Sequence, residues 1–206
     1  MFIAKKLRKE NIAEYLLYMW QIEDTIRAMG CSLALIRKNY ISKFTGYTDD
    51  QKDEEEDWFG DLIRMMNEEG KREFGHLNIN QVIMSDMVDL HQRLLQSNKF
   101  PFYNAEYYKV LPYIVELRSR NRNGLLKEAQ ESGLDNPRMA ITDLEKESEI
   151  ETCFDAIYGT TLLKMQGKEI TPETKAAVKE ISTFVGMLSD YYIKDRNGEL
   201  DFGDKE

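Results

Sequence analysis

The stretch that decides the fold is residues 11–28, which read NIAEYLLYMWQIEDTIRA. At about 100° per residue its apolar side chains form one stripe, the pattern of a helix with one buried face. Glu23 lies in the middle of this stripe. Because a carboxylate is rarely fully buried without a partner, the stretch predicts a central helix that carries a paired acid. The stripe consists of Ile12, Leu16, Met19, Ile22 and Ile26.

The same helical periodicity continues along the chain, with breaks at glycine, proline and capping residues and no useful run of strand alternation. The pattern predicts an all-α fold: a single-domain helical bundle of about six to seven helices over residues 1–194, followed by a polar, frayed tail over residues 195–206. Pro112 lies inside the fifth predicted helix and should kink it. The sixth predicted helix begins at Thr142, where Glu145 completes a capping-box pattern.

Composition limits the classes of function. The chain has 206 residues, of which 42% are hydrophobic, and its 28 Lys and Arg against 37 Asp and Glu give a net charge of -9. Such an acidic chain is a poor candidate for nonspecific nucleic-acid binding, and no apolar run approaches the roughly 20 residues that cross a bilayer. Cys31 and Cys153 are too few for a disulfide framework, which favours reduced thiols and a cytoplasmic location.

Several blocks of the sequence carry a resemblance to a known family. They are residues 1–7 (MFIAKKL), residues 10–24 (ENIAEYLLYMWQIED), residues 158–163 (YGTTLL) and residues 170–174 (ITPET). With these blocks the chain resembles a bacterial, Bacteroides-group family of helical proteins known as a domain of unknown function. The resemblance covers most of residues 1–194 and implies an all-helical, intracellular bacterial protein. It implies no activity, substrate or catalytic residue.

Charged residues on apolar faces are the first candidates for a site. Glu23 and Arg27 are spaced i, i+4 and can pair on their own helix, while Arg118 lies among apolar residues of the fifth predicted helix. We expect a buried ion pair between Glu23 and Arg118 that sets the register of two helices. The alternative is that these groups line a pocket for a polar ligand.

The two histidines are further candidates. His91 lies on the buried face of the fourth predicted helix, where a lone histidine is more often a core residue than a ligand or a catalyst. His76 follows Glu73 in a Glu-x-x-His spacing that di-iron bundles use. Those bundles need a second such motif, which this chain lacks, so a di-iron site is disfavoured.

A ladder of acids is the remaining candidate for a metal site. Glu147, Glu151 and Asp155 follow one another at i+4 steps in the sixth predicted helix. Stacked carboxylates repel one another, and a magnesium or manganese ion could offset that repulsion. Solvated acids at a helix edge are the simpler interpretation, because the motif of the all-helical nucleotide pyrophosphohydrolases is absent.

Because the sequence contains no recognisable catalytic constellation, we expect a non-enzymatic protein that acts through self-association or a protein partner. We predict no cofactor. The region around Pro101 and Pro112 is the candidate contact surface, since tyrosines combine contact area with a polar group. The alternative function is a metal-dependent hydrolase or a small-ligand-binding bundle that uses the internal carboxylates. The clustered tyrosines are Tyr103, Tyr107, Tyr108 and Tyr113.

Overall fold

The computed structural model describes residues 1–131 and 147–203. The all-α fold class is confirmed, because these residues form eight α-helices and one short 3-10 helix, and no strand. The first five helices are α1 (Phe2–Glu10), α2 (Ile12–Ala28), α3 (Leu33–Asn39), α4 (Asp49–Glu68) and α5 (Asn78–Gln96), with the 3-10 helix at Ile41–Lys43. The last three are α6 (Pro101–Glu131), α7 (Glu149–Met165) and α8 (Pro172–Arg196).

The residues group into two compact units, Met1–Asp86 and Met87–Glu206, whose boundary falls inside α5. In the first unit α1 packs on α2, and α3 packs on α4. The N-terminal helix is separate from α2 because Asn11 adopts an extended conformation and its side chain accepts a hydrogen bond from the Glu14 amide, 3.1 Å away. This cap raises the number of helices above the expected six to seven.

The core of the first unit confirms the apolar stripe of α2. All five residues of that stripe are at most 1% exposed, and Trp20 is buried beside them. Apolar residues of the neighbouring helices complete this core. They are Ile36, Ile41, Phe59, Leu62 and Met66.

The second unit is built from α6, α7 and α8, which pack on one another in all three pairings. Its interior is rich in aromatic and branched side chains, which supply most of the apolar area buried in a small core. The fully buried members include Tyr103, Val110, Ile114, Phe154, Ile181, Phe184 and Leu188.

Two predictions from the sequence concern helices of the second unit. The start at Thr142, with Glu145 as its capping partner, lies outside the described residues. The described helix α7 begins at Glu149, because Ser148 accepts a hydrogen bond from the Glu151 amide and Glu151 accepts one from the Ser148 amide. Pro112 lies inside α6 as expected, and the helix continues through it to Glu131.

The chain beyond α8 lies against the rest of its unit over residues 197–203. The ring of Phe202 packs at 5.1 Å from that of Phe100, and the guanidinium of Arg93 lies 4.2 Å from the centre of the Phe202 ring. The ammonium of Lys99 is 2.5 Å from a carboxylate oxygen of Asp201. These contacts hold residues 197–203 against the second unit, although their polar composition predicts a frayed segment.

Candidate functional site

Glu23 is completely buried, and its carboxylate accepts hydrogen bonds from a single short segment. Its Oε2 accepts from Nδ1 of His76 at 2.7 Å, while its Oε1 accepts from the amide of Leu77 at 3.0 Å and from Nδ2 of Asn80 at 2.7 Å. A buried carboxylate with three donors is well satisfied. Glu23 therefore fixes the start of α5 against α2.

The described partners of Glu23 are His76, Leu77 and Asn80 in place of the two arginines that we considered from the sequence. Arg27 instead pairs with Asp24 at 2.8 Å and donates to the carbonyl oxygens of Lys71 and Gly75. The imidazole of His76 also stacks on Trp20, with 4.1 Å between ring centroids. Glu23 and Arg27 thus hold the connection between α4 and α5 from two sides. Sequence spacing along one helix could not reveal donors that lie more than 50 residues away.

Arg118 has its own partners in the second unit. Its Nε donates to Oγ1 of Thr152 at 3.0 Å, and a terminal nitrogen donates to the backbone carbonyl of Glu147. The hydroxyl of Thr152 in turn donates to a carboxylate oxygen of Glu147 at 2.6 Å. Arg118 therefore fixes the beginning of α7 against α6.

His91 is buried in an aromatic environment. Its Nδ1 lies 2.6 Å from the hydroxyl of Tyr103, and its ring makes edge contacts with Tyr107 and Phe184. Burial lowers the pKa of His91 to about 4, although the nearby charge of Glu149 acts in the opposite direction. Its Nε2 is buried and has no hydrogen-bond partner in the described part of the chain. His91 is thus a neutral core residue, bonded on one side only.

The predicted acid ladder does not form a common site in the structure. Glu151 serves the capping box of α7, Glu147 accepts from Thr152, and Asp155 is exposed. Within residues 1–131 and 147–203, no group of three His, Cys, Asp or Glu side chains is placed to hold a metal ion. Burial also raises the pKa of the Cys153 thiol to about 12, so this cysteine is not an activated nucleophile. The geometry therefore offers no support for the metal-dependent alternative.

The predicted contact surface around Pro101 and Pro112 is only partly exposed. Tyr103 and Tyr107 point into the core, with 0% and 8% exposure, whereas Tyr108 is 66% exposed. Residues spaced three or four apart on the opposite side of α6 form an exposed apolar stripe, which we call the α6 outer face. It consists of Pro101, Phe102, Ala105, Tyr108, Pro112 and Val115.

Sequence reasoning missed the full extent of the α6 outer face. Phe102 is 81% exposed and Val115 is 58% exposed, and neither was among the candidate contact residues. Since the inward stripe of α6 is apolar as well, the helix is apolar on two sides, which is the signal that could have revealed the face. Exposed large apolar groups that cluster in this way mark interaction surfaces.

A comparison with known families identifies the family of this chain. The model of the family described as a domain of unknown function, DUF4924, matches residues 1–133 and 136–199. The chain belongs to this family. No curated protein and no solved structure matches the chain. The family's description specifies no activity.

None of the described helices is both long enough and apolar enough to cross a membrane.

Proposed function

We propose that this protein acts by binding a second copy of itself through the α6 outer face and that it is not an enzyme. The observation that carries the proposal is the exposure of Phe102, Tyr108 and Val115 on one side of one helix. Such a contiguous apolar stripe costs free energy in water at roughly 25 cal/mol per Å², and burial against a partner recovers it. Glu23, Arg118 and Glu151 are occupied in structural contacts and offer no competing catalytic site.

The charges beside the stripe favour a second copy of this chain as the partner. Lys109 and Glu116 lie along the same edge of the α6 outer face, and their side chains are 51% and 56% exposed. They are equidistant in sequence from the Pro112–Tyr113 bond. When two α6 helices meet antiparallel about a two-fold axis near Pro112, Lys109 of one copy faces Glu116 of the other, twice over. The edge is therefore complementary to itself.

A second pair of charges follows the same symmetry. Glu106 and Arg120 are equidistant in sequence from Tyr113 and lie on the same side of the helix as Lys109 and Glu116. Within one chain Lys109 contacts Glu106 at 3.6 Å and Glu180 at 2.5 Å, and Arg120 contacts Glu116 at 2.5 Å. Exposed pairs of this kind contribute little to stability, so they can exchange partners on association. Complementary charges set the register, and the apolar stripe supplies the affinity.

A contact surface of one helix face is small by the standard of stable interfaces, which bury about 800 Å² per partner. We therefore expect a reversible dimer with a dissociation constant in the micromolar range. Sedimentation equilibrium at several loading concentrations should show a monomer–dimer equilibrium. The double variant Tyr108→Asp, Val115→Asp should remain monomeric, because it places charges in the centre of the stripe.

The matched control is the double variant Gln92→Asp, Thr161→Asp, which adds the same charge at exposed positions of α5 and α7 outside the α6 outer face. It should dimerise like the unmodified protein. A monomer at all concentrations, or a dimer that survives Tyr108→Asp, Val115→Asp, would refute the proposal. Circular dichroism of each variant verifies that the helices remain folded.

We also propose a bacterial origin and a cytoplasmic location. The resemblance of residues 1–7 and 10–24 to a Bacteroides-group family supports the origin. Cys31 and Cys153 are both free, which suits a reducing compartment. Cell fractionation with detection of the native protein would test the location.

A further inference from the structure

A cleft lies between α7 and α8, on a different part of the second unit from the α6 outer face. Its volume is about 420 Å³, which falls within the range of small-molecule sites. Small hydroxyl side chains and one valine leave the space between the two helices open. These residues are Thr160, Val178, Ser182 and Thr183.

Three lysines line this cleft and make its charge strongly positive. Lys164 comes from α7, while Lys175 and Lys179 come from α8. Among the described residues, no carboxylate forms an ion pair with these three ammonium groups, whereas Lys109 on α6 contacts Glu180 on α8 at 2.5 Å. Lys175 and Lys179 are spaced i, i+4, so they repel each other along α8. A concentration of unpaired positive charge is unexpected in a chain of net charge -9.

The hydroxyl groups of Thr160 and Ser182 in the cleft already donate hydrogen bonds to backbone carbonyls. Thr160 donates to the carbonyl of Ala156 at 2.7 Å, and Ser182 donates to the carbonyl of Val178 at 2.7 Å. The ammonium groups are therefore the free donors available to a ligand, each with three N–H bonds. A ligand that matches them carries several negative charges and needs no neutral hydrogen-bond donor.

We propose that the cleft between α7 and α8 binds a small soluble polyanion that carries phosphate groups. Lysine binds phosphate as a point charge, and three lysines around one cavity match the charge of a di- or triphosphate. The cleft is closed on two sides by helices, so it fits a compact ligand better than a long polymer. Attraction between the ammonium groups and the phosphates drives binding, which also relieves the small repulsion between Lys175 and Lys179.

Isothermal titration calorimetry with inorganic tripolyphosphate tests the proposal. We expect saturable binding at low salt that weakens as the salt concentration rises, since screening acts on exposed charges. The triple variant Lys164→Gln, Lys175→Gln, Lys179→Gln should lose at least about tenfold in affinity. Ser182→Ala should bind like the unmodified protein, because its hydroxyl is not a free donor.

The matched control is the triple variant Lys5→Gln, Lys6→Gln, Lys9→Gln, which removes the same charge from exposed positions of α1 in the other unit. It should retain the affinity for tripolyphosphate. An absence of binding to the unmodified protein would overturn the proposal, and so would an equal loss in both triple variants. Binding to a single-stranded oligonucleotide but not to tripolyphosphate would also overturn it. Sedimentation of the cleft variant, which should still dimerise, separates this result from the proposed self-association.

Discussion

At Glu23 and on the α6 outer face, side chains have a polarity opposite to the one that their surroundings favour. At Glu23, an acid lies where apolar residues belong, and three donors from residues 76–80 satisfy it. On the α6 outer face, Phe102, Tyr108 and Val115 lie where polar residues belong, and they remain exposed. The first exception is compensated inside its own unit, and the second is not compensated by any described residue.

This difference separates structural from functional exceptions. A buried polar group that has all its partners contributes to a unique arrangement of helices and needs no ligand to explain it. An exposed apolar stripe has a cost that only a partner can offset. Substitutions at either kind of position should therefore differ in what they change, namely stability at the buried groups and association at the exposed stripe.

Removal of the Glu23 carboxylate should have the largest effect. Glu23→Ala leaves the buried amide of Leu77, the buried Nδ2 of Asn80 and the part-buried Nδ1 of His76 without their acceptor. We expect a loss of about 3 kcal/mol in the free energy of unfolding, which corresponds to a fall in Tm of roughly 6–12 °C. Urea titration and thermal melts measure both quantities.

The control for this prediction is Gln21→Ala, which removes an exposed side chain from the same helix. It should change the free energy of unfolding by less than about 0.5 kcal/mol. If Glu23→Ala were as stable as this control, the carboxylate would not be a structural group, and the ligand-pocket interpretation of Glu23 would regain support.

His91 is a buried base whose imidazole forms a hydrogen bond through Nδ1 only among the described residues. Its pKa falls from 6.5 in the unfolded chain to about 4 in the folded protein. The unfolded chain therefore takes up a proton first, and stability decreases as the pH falls through 6.5 toward 4. Between pH 7.5 and pH 5 this contribution amounts to about 2 kcal/mol.

The measurement is the free energy of unfolding of the unmodified protein and of His91→Gln at both pH values. The difference between the two proteins should be smaller at pH 5 than at pH 7.5 by about 2 kcal/mol, because His91→Gln lacks the titrating group. An identical pH dependence in both proteins would show that His91 is accessible to protons in the folded state.

Glu151 should give a small effect of structural origin. Glu151→Ala removes the acceptor for the Ser148 amide, which costs about 1 kcal/mol of stability through the lost capping box. Calorimetric titration with Mg²⁺ or Mn²⁺ should give the same result for Glu151→Ala as for the unmodified protein. Metal binding that disappears in Glu151→Ala would contradict the capping role and revive the carboxylate ladder as a site.

The sequence predicted elements better than partners. The stripe of α2 and the placement of Pro112 follow from periodicity and from the chemistry of proline, which are local properties. The acceptors and donors of Glu23 and Arg118 are set by tertiary packing, so spacing along one helix pointed to the wrong pairs. The Asn11 cap, in contrast, is a local property, since asparagine is a preferred N-cap residue.

The contact surface shows the same limit. Tyrosine composition identified the correct region of α6, yet Tyr103 and Tyr107 face inward because they share a stripe with Val110 and Ile114. Which of two apolar stripes faces the core depends on where α7 and α8 pack. No property of residues 101–116 alone contains that information.

The most direct test of self-association mixes two charge-reversal variants. Lys109→Glu places two acids opposite each other in its own dimer, and Glu116→Lys does the same with two bases, so each should dimerise more weakly than the unmodified protein. In a mixed dimer both contacts join opposite charges. Sedimentation equilibrium should therefore show dimer recovery on mixing, whereas any effect within one chain stays constant. Two variants that remain as weak together as apart would contradict the antiparallel α6 dimer.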